Sequence, residues 1–491
     1  MTTITGNIVK EHIMKKAQER LQKEQKNKEA GANPPKQTSE TIGKSIAQKR
    51  PDYADFQANN WIKDPNVEIL QELDSKGMAM WLDPDGSLSY KINGSIFKKV
   101  DVSKAKIIIS NILERNISLF SKESDIRPKD LILVQKEVFD PRTNFEFFQK
   151  GHGYYRNAFQ PTKYMKLTDS NYKEPKTILK LIHHLVTYND EYYRYFLNWL
   201  AYFWQTMQRP NTAIALKGTQ GTGKGILFER VIQKLFGKNQ TVQVNDSILK
   251  SQYLAPIFEN KLFYNLDEIS QGYKDNKRLK NMLKGLVTND VISLERKYSN
   301  IEKPILLKGA VLITSNEPKF LEIEPGDRRY NIFSSNKKLI EVDFLVGSYD
   351  KLIAAIQEEL EDFAKYLYHY PVDAKQANVV METPEREALI EATTDKFTLF
   401  ANAIKNKNLD FFAHLNEGAP AIYEEIKKSF SRGRIKQSLL TPWFNKTFDE
   451  EVKRTTLLKE LRTRDNVFTK TRDVHGYPHI ILDEEDEETS S

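Results

Sequence analysis

The chain has 491 residues, with 74 lysines and arginines against 67 acids for a formal charge of +7, and 39% of it is hydrophobic. That composition is one of folded, water-facing domains, about two to four of them, and it excludes a disordered or membrane-embedded chain. There is no cysteine, which excludes disulfides, thiolate metal sites and cysteine nucleophiles. No apolar run is long enough to span a bilayer and no signal-peptide core opens the chain, so a cytoplasmic protein without a membrane partner is expected.

Residues 1–55 read as a basic, disordered arm. Met1–Arg50 carries eleven Lys/Arg against five Glu, with the breaker pair Pro34-Pro35 and almost no apolar stripe. Such an arm either touches nucleic acid or is simply solvated. Residues 56–170 read as an N-terminal α+β domain. Gly77–Gly94 gives short strands about a Pro84-Asp85-Gly86 turn, and Lys104–Leu119 gives a helix burying Ile107, Ile108, Ile109 and Ile112. Asp83 and Asp85 admit a primase- or polymerase-type metal site. Turn chemistry accounts for both more cheaply, and no second carboxylate cluster follows at strand spacing.

A third domain is expected over 171–345. Ile178–Met207 reads as one strong helix, with Tyr192, Tyr195, Phe196, Trp199, Leu200 and Phe203 on one face, a stripe that belongs to a core rather than to a base-stacking platform. Ala213–Leu216 is a buried strand running into Gly218, Thr219, Gln220, Gly221, Thr222, Gly223, Lys224 and Gly225. Helical spacing of Ile226, Leu227, Val231, Ile232 and Leu235 follows, to a stop at Gly237. Strand, glycine loop with lysine, then helix is the setting of a phosphate-binding loop, whose backbone N–H groups and helix N-terminus face an anion. Lys224 would add a point charge on the β- and γ-phosphates. Gly225 stands where the usual motif has the hydroxyl that binds Mg²⁺, and an ordinary glycine turn before a lysine is the plainer alternative.

Lys261–Glu268 gives a second strand ending in Asp267 and Glu268. That is the arrangement of a nucleotide-hydrolysing site: an acid there holds Mg²⁺ or its water, and a neighbouring glutamate positions and deprotonates the attacking water; a solvated acidic turn is the alternative. From Lys274 to Lys308 there are nine Lys/Arg against four acids, and Val291–Lys297 with Ile301–Leu307 reads as a hairpin, Pro304 confining the second strand to an edge. Arg296, Lys297 and Tyr298 near its tip suit a phosphate backbone with a stacked base, and on charge alone a solvated hairpin accounts for them equally well. A third strand, Ala310–Ile313, leads to Asn316, an amide able to order the same water and sense the γ-phosphate. Gly326-Asp327-Arg328-Arg329 follows. One of its arginines is the part expected of a finger reaching a neighbouring subunit's nucleotide, with surface ion pairs as the alternative. Residues 346–400 read as a helical subdomain that includes Tyr349–Tyr368. Residues 401–482 read as helices and a β-ribbon of winged-helix type, with Lys453, Arg454, Arg462, Arg464 and Lys470 as a basic face. Residues 483–491, six of them acids, read as a solvated tail.

The order GTQGTGKG, YNLDE, basic hairpin, ITSN and GDRR, within about 115 residues, resembles a superfamily 3 helicase of the AAA+ class. The resemblance is to the phage, plasmid and poxvirus-type primase–helicases, phage or mobile-element branch, and covers about Phe139 to Phe333. It implies an α/β fold: an AAA+ P-loop ATPase core with a parallel sheet flanked by helices, between the N-terminal α+β and C-terminal winged-helix domains. It implies an ATP- and Mg²⁺-dependent DNA helicase, a hexameric ring on single-stranded or forked DNA, working with a separate primase or polymerase in a bacterial host's cytoplasm. Lys224, Glu268, Asn316 and Arg328 or Arg329 would then be catalytic, Gly218–Gly225 would hold ATP, Asp267 would hold the metal, and Arg296, Lys297 and Tyr298 would touch DNA. An origin-binding ATPase initiator or loader and a non-hydrolysing DNA-binding scaffold are the alternatives. The primase domain of larger family members is not recognisable in the chain.

Overall fold

A computed structural model of the chain describes residues 49–482 apart from 58–60, 252, 270–276, 295–302, 325, 343–347, 465 and 475. The basic arm before residue 49, the hairpin tip with Arg296, Lys297 and Tyr298, and the acidic tail lie outside the described residues.

The first module holds two small sheets. β1 (Met78–Leu82), β2 (Leu88–Ile92) and β3 (Ser95–Val100) form an antiparallel meander, and β4 (Val134–Val138), β5 (Phe147–Lys150) and β6 (Gly153–Asn157) form a mixed sheet in the order β4-β6-β5. The turn between β1 and β2 uses both of its acids. Asp83 accepts from the Trp81 indole and the Ser89 hydroxyl, and Asp85 from Ser87 and the Lys99 ammonium. The following helix is shorter than predicted: it spans Val102–Leu113, capped by Asp101, and ends where Glu114 turns left-handed. Its inward face is Ala105, Ile109 and Leu113, so Ile107, predicted as buried, is 62% exposed.

The central module is an open parallel sheet. β7 (Ala213–Gly218), β8 (Thr241–Val244), β9 (Phe263–Asp267), β12 (Ala310–Ser315) and β13 (Tyr330–Ser335) lie in the order β13-β7-β12-β9-β8, every pair parallel. Between β9 and β12 in sequence, β10 (Val291–Leu294) and β11 (Lys303–Leu306) form the expected hairpin, with Pro304 inside it. The sheet is buried on both sides because its side chains alternate. Ile214, Leu216, Leu312 and Phe333 pack against helices on one face, and Ala213, Ala215, Ile313 and Ile332 belong to the core on the other. The chain thus has a mixed α/β fold around a five-stranded parallel sheet.

The aromatic stripe lies in that core, but on a broken rod. The single predicted helix is two, Lys176–Leu185 and Asp190–Thr206. The first ends as Thr187 and Tyr188 turn left-handed and their N–H groups return to the carbonyls of His184 and His183, and Asn189 caps the second. Pro175 leaves the first helix without a local cap. Glu359, from the helix Tyr349–His369, supplies one: its carboxylate accepts the N–H groups of Thr177 and Ile178 and the Thr177 hydroxyl at 2.7–3.0 Å.

The last module packs the helices Lys396–Lys405, Pro420–Ser431, Leu440–Phe448 and Arg454–Arg464 around Phe400, Trp443, Phe444 and Leu457. Its sheet joins β14 (Arg434–Lys436), β15 (Thr471–Val474) and β16 (Tyr477–Ile481) in the order β14-β16-β15, so the ribbon has a third strand that the sequence pattern did not give. Among the described residues no helix is long and apolar enough to cross a membrane.

Glu359→Ala removes every side-chain acceptor from the start of Lys176–Leu185. It should lower unfolding free energy by about 1–3 kcal/mol, read from the urea midpoint, with Glu359→Gln recovering part of the loss.

Candidate functional site

The carboxyl ends of β7, β9 and β12 meet at one cleft, where an open α/β sheet receives ligands. Its volume is about 940 Å³, and its lining includes Gln220–Ile226, Asp267, Glu268 and Asn316. β7 delivers the glycine loop, and the helix beyond it begins at Lys224 and continues to Phe236, with a widened π turn over Leu227–Ile232. Two glycines explain the shape of the loop. Gly223 sits at φ 98° with Leu181 and Leu339 against it, a conformation L side chains rarely adopt. At Gly218 a Cβ would lie 2.0 Å from the Ser335 carbonyl oxygen, so β13 closes on β7 only because no side chain intervenes. Gly225 is different: a Cβ there would meet nothing within 4 Å.

Lys224 is the centre of the cleft and only 9% exposed. Its ammonium lies within 2.7 Å of the Gly218 carbonyl, 3.1 Å of that of Thr219, 3.3 Å of the Thr222 hydroxyl and 2.8 Å of Asn316 Oδ1. Burial pushes its pKa below the usual lysine range, and Asp267 and Glu268 pull it partly back. Asn316 then donates through Nδ2 to Glu268 Oε1 at 2.8 Å, so one amide spans the cation and the acid. Glu268 has φ 48°, a strained position for a residue with a side chain, and its N–H donates to the Thr314 carbonyl at 2.8 Å.

Asp267 is fixed by two donors, the Thr314 hydroxyl at 2.5 Å and the Gln243 amide at 2.7 Å. Among the described residues there is no group of three or more His, Cys, Asp or Glu able to hold a metal ion. The donor set suits Mg²⁺ nonetheless, since that ion takes one or two carboxylates and completes its shell with phosphate oxygens and water. A carboxylate already oriented by two donors keeps lone pairs for it.

The structure therefore brings Lys224, Asp267, Glu268 and Asn316 together beneath the glycine loop. It does not bring Arg328 or Arg329 into the lining of this cleft. Arg329 pairs with Asp327 at 3.0 Å, whereas Arg328 is exposed and has no ion pair among the described residues. Thr314 and Gln243 were missed from sequence. Thr314 stood in the same run as Asn316, and Gln243 sits on β8, where the β-branched Thr241-Val242 was the available signal. Lys338–Val342 and Tyr349 also line the cleft. Nothing in their local sequence marks them.

A family model described as "Family of unknown function (DUF5906)" matches residues 216–329. The chain is 30% identical over 292 residues to a protein of the Nitratiruptor phage NrS-1 described as a DNA Primase-polymerase; the match takes in 58% of this chain and 39% of that protein. The chain thus spans well under half of that relative's length. An apo structure of the NrS-1 C-terminal region (305–718) superposes with a TM-score of 0.70 at 25% identity, over 86% of this chain and 99% of that one. A second, the A form of the same region, gives 0.68 at 24% identity, over 86% and 100%. The chain is a homologue of a phage replication protein, and its fold is like that of the NrS-1 C-terminal region.

These likenesses correct the expected activity. The curated relative is described as a DNA primase-polymerase, so the expectation of a ring helicase translocating on single-stranded DNA is overturned. The labels of ATP hydrolase and superfamily 3 P-loop enzyme go with it, as do the loader and scaffold alternatives. The reason is physical: a glycine loop, strand-end acids and an amide recur in phosphate sites of enzymes with many activities, and they do not say which activity is present.

Opposite outcomes are expected at two glycines. Gly225→Ala, in open helical space, should stabilise the chain by about 0.5–1 kcal/mol. Gly218→Ala should cost about 1–3 kcal/mol through the Ser335 clash. Thermal unfolding of the two variants beside the parent checks both.

Proposed function

We propose that the chain acts in phage-type DNA replication, in the nucleotide chemistry of a primase–polymerase system, and that the cleft holds the triphosphate of a nucleotide with a divalent ion. The observation that carries this reading is the continuous set Lys224–Asn316–Glu268, with Asp267 beside it, under a glycine loop at the sheet's carboxyl end. The likeness to a phage DNA primase-polymerase supports the setting. The parallel sheet with its loop at an inner strand supports an AAA+ type of core.

In this reading the N–H groups of Gly218–Gly225 and the helix start face the phosphates. Lys224 exchanges its protein acceptors for phosphate oxygens. Asp267, oriented by Thr314 and Gln243, is the metal's protein ligand. Mg²⁺, when bound, neutralises charge on the phosphates. Glu268 accepts the proton of the oxygen that attacks a nucleotide phosphorus, and the bond from that phosphorus to its bridging oxygen breaks as the displaced phosphate leaves. Asn316 positions the attacking oxygen, because its amide already touches both Lys224 and Glu268. ATP is the nucleotide to take first.

The remaining parts follow the same logic. The exposed Arg328 suits contact with a second copy's phosphates, in a multimer such as a hexameric ring, while Arg329 is held by Asp327. Arg296, Lys297 and Tyr298, beyond the ends of β10 and β11, would meet single-stranded DNA. The α+β domain over 56–170, the helical subdomain over 346–400 and the winged-helix domain over 401–482 would flank the core over 171–345.

Binding of a fluorescent ATP in Mg²⁺ tests the site. Lys224→Ala should weaken it by roughly 10–150-fold, the worth of a charged hydrogen bond, and Asp267→Asn should raise the Mg²⁺ concentration needed. Affinity unchanged in Lys224→Ala would remove the phosphate site. Template-dependent incorporation of labelled nucleotide tests the setting, and it should fall in both variants.

A further inference from the structure

The cleft has an apolar end that the phosphate machinery does not use. After β13 the chain returns past the glycine loop: the Leu339 N–H donates to the Gly221 carbonyl at 2.9 Å, and the Thr219 hydroxyl donates to the Asn336 carbonyl at 3.3 Å. These bonds pin the short 3₁₀ turn Leu339–Glu341 against the loop. Leu339 turns inward, beside Gly223, and its neighbour Ile340 is left 85% exposed. Lining the same cavity is Tyr349, the first residue of the long helix Tyr349–His369, 55% exposed.

Single exposed apolar side chains are ordinary. Here, of all the exposed large hydrophobics among the described residues, the two that line the cleft belong to adjoining segments that both face the phosphate loop. A ligand made only of phosphate would gain nothing from them. A nucleotide is charged at one end and carries a flat, apolar-faced base at the other, and nucleotide-sized pockets are built of apolar walls with a few placed polar groups. Beside this wall the Glu341 carboxylate accepts the Lys338 N–H at 3.0 Å and the Ser348 hydroxyl accepts that of Lys351 at 3.3 Å, contacts that hold the turn and the helix start. The two exposed side chains of the wall offer faces and no donor or acceptor pattern beyond the Tyr349 hydroxyl.

We infer that Ile340 and Tyr349 are the base-binding residues of the cleft, holding the nucleobase by its faces. The cleft then takes nucleoside triphosphates as a class, purines more tightly than pyrimidines because they stack over a larger area. This rests on reading the cleft as a triphosphate site.

The test separates the two claims by using a ligand without a base. Competition against fluorescent ATP in Mg²⁺ gives the affinities of ATP, GTP, CTP and inorganic tripolyphosphate for the full chain and for Ile340→Ala, Tyr349→Ala and Tyr349→Phe. Each alanine variant should lose roughly tenfold for ATP and GTP, the scale of one base–aromatic stack. The loss for CTP should be smaller, tripolyphosphate should be unchanged, and Tyr349→Phe should bind as the parent does. Alanine variants that bind ATP as the parent does, or that lose ATP and tripolyphosphate equally, overturn the base assignment and leave the phosphate site standing. A parent that discriminates ATP from GTP by a hundredfold or more overturns it too. A parent that binds neither ATP nor tripolyphosphate removes the phosphate site, and the base assignment falls with it.

Discussion

An ammonium group taken out of water must have its protons met, and the cleft is arranged around that demand. Lys224 draws its acceptors from the end of β7, from the glycine loop and from the end of β12. Satisfying it fixes the loop's curl, the height of β12 relative to β7 and the rotamer of Asn316. Asn316 passes the constraint to Glu268, Glu268 passes it through its N–H to Thr314, and the Thr314 hydroxyl passes it to Asp267. A single buried charge thereby sets the positions of three strand ends. The left-handed backbone at Glu268 is held by the same links.

The strands that carry this arrangement were legible because of where they lie. β7, β9 and β12 are inner strands covered on both faces, so each is a short and mostly apolar run. β8 lies at the sheet's edge and β14 is three residues long, and neither had a run to read. The break at Thr187–Tyr188 was hidden for another reason. Apolar and aromatic residues continue at helical spacing through it, and only the backbone turn and the Asn189 cap reveal that two helices share one stripe. Ile107 shows the limit of periodicity from the other side: four isoleucines within six positions cannot all face one core, and the capped start of the helix decides which ones do.

The site was legible to the same depth. Lys224, Asp267, Glu268 and Asn316 are marked by short motifs because each lies at the end of an inner strand or in the loop that leaves it. Thr314 and Gln243 lie on strands that carried a signal but are drawn to Asp267 only by strand pairing, and Ile340 and Tyr349 reach the cleft from positions whose neighbours carry no signature. The activity was not legible at all. Glycine loops with strand-end acids recur in enzymes of many activities, so the motif set alone pointed to an activity that the likeness to a DNA primase-polymerase overturns.

β7 lies between two strands that both follow it late in the sequence. Its neighbours are β12, beginning at Ala310, and β13, beginning at Tyr330, and the carbonyl that closes over Gly218 belongs to Ser335. A ribosome adding about 5–20 residues per second needs roughly 6–23 s to travel from Gly218 to Ser335. For most of that interval β7 has neither flanking strand, and for the rest it has β12 alone, so at least one of its edges stays unpaired until β13 is made. The nascent chain is therefore most exposed to mispairing at the strand that carries the glycine loop, and the closing contact over Gly218 cannot form until β13 has emerged.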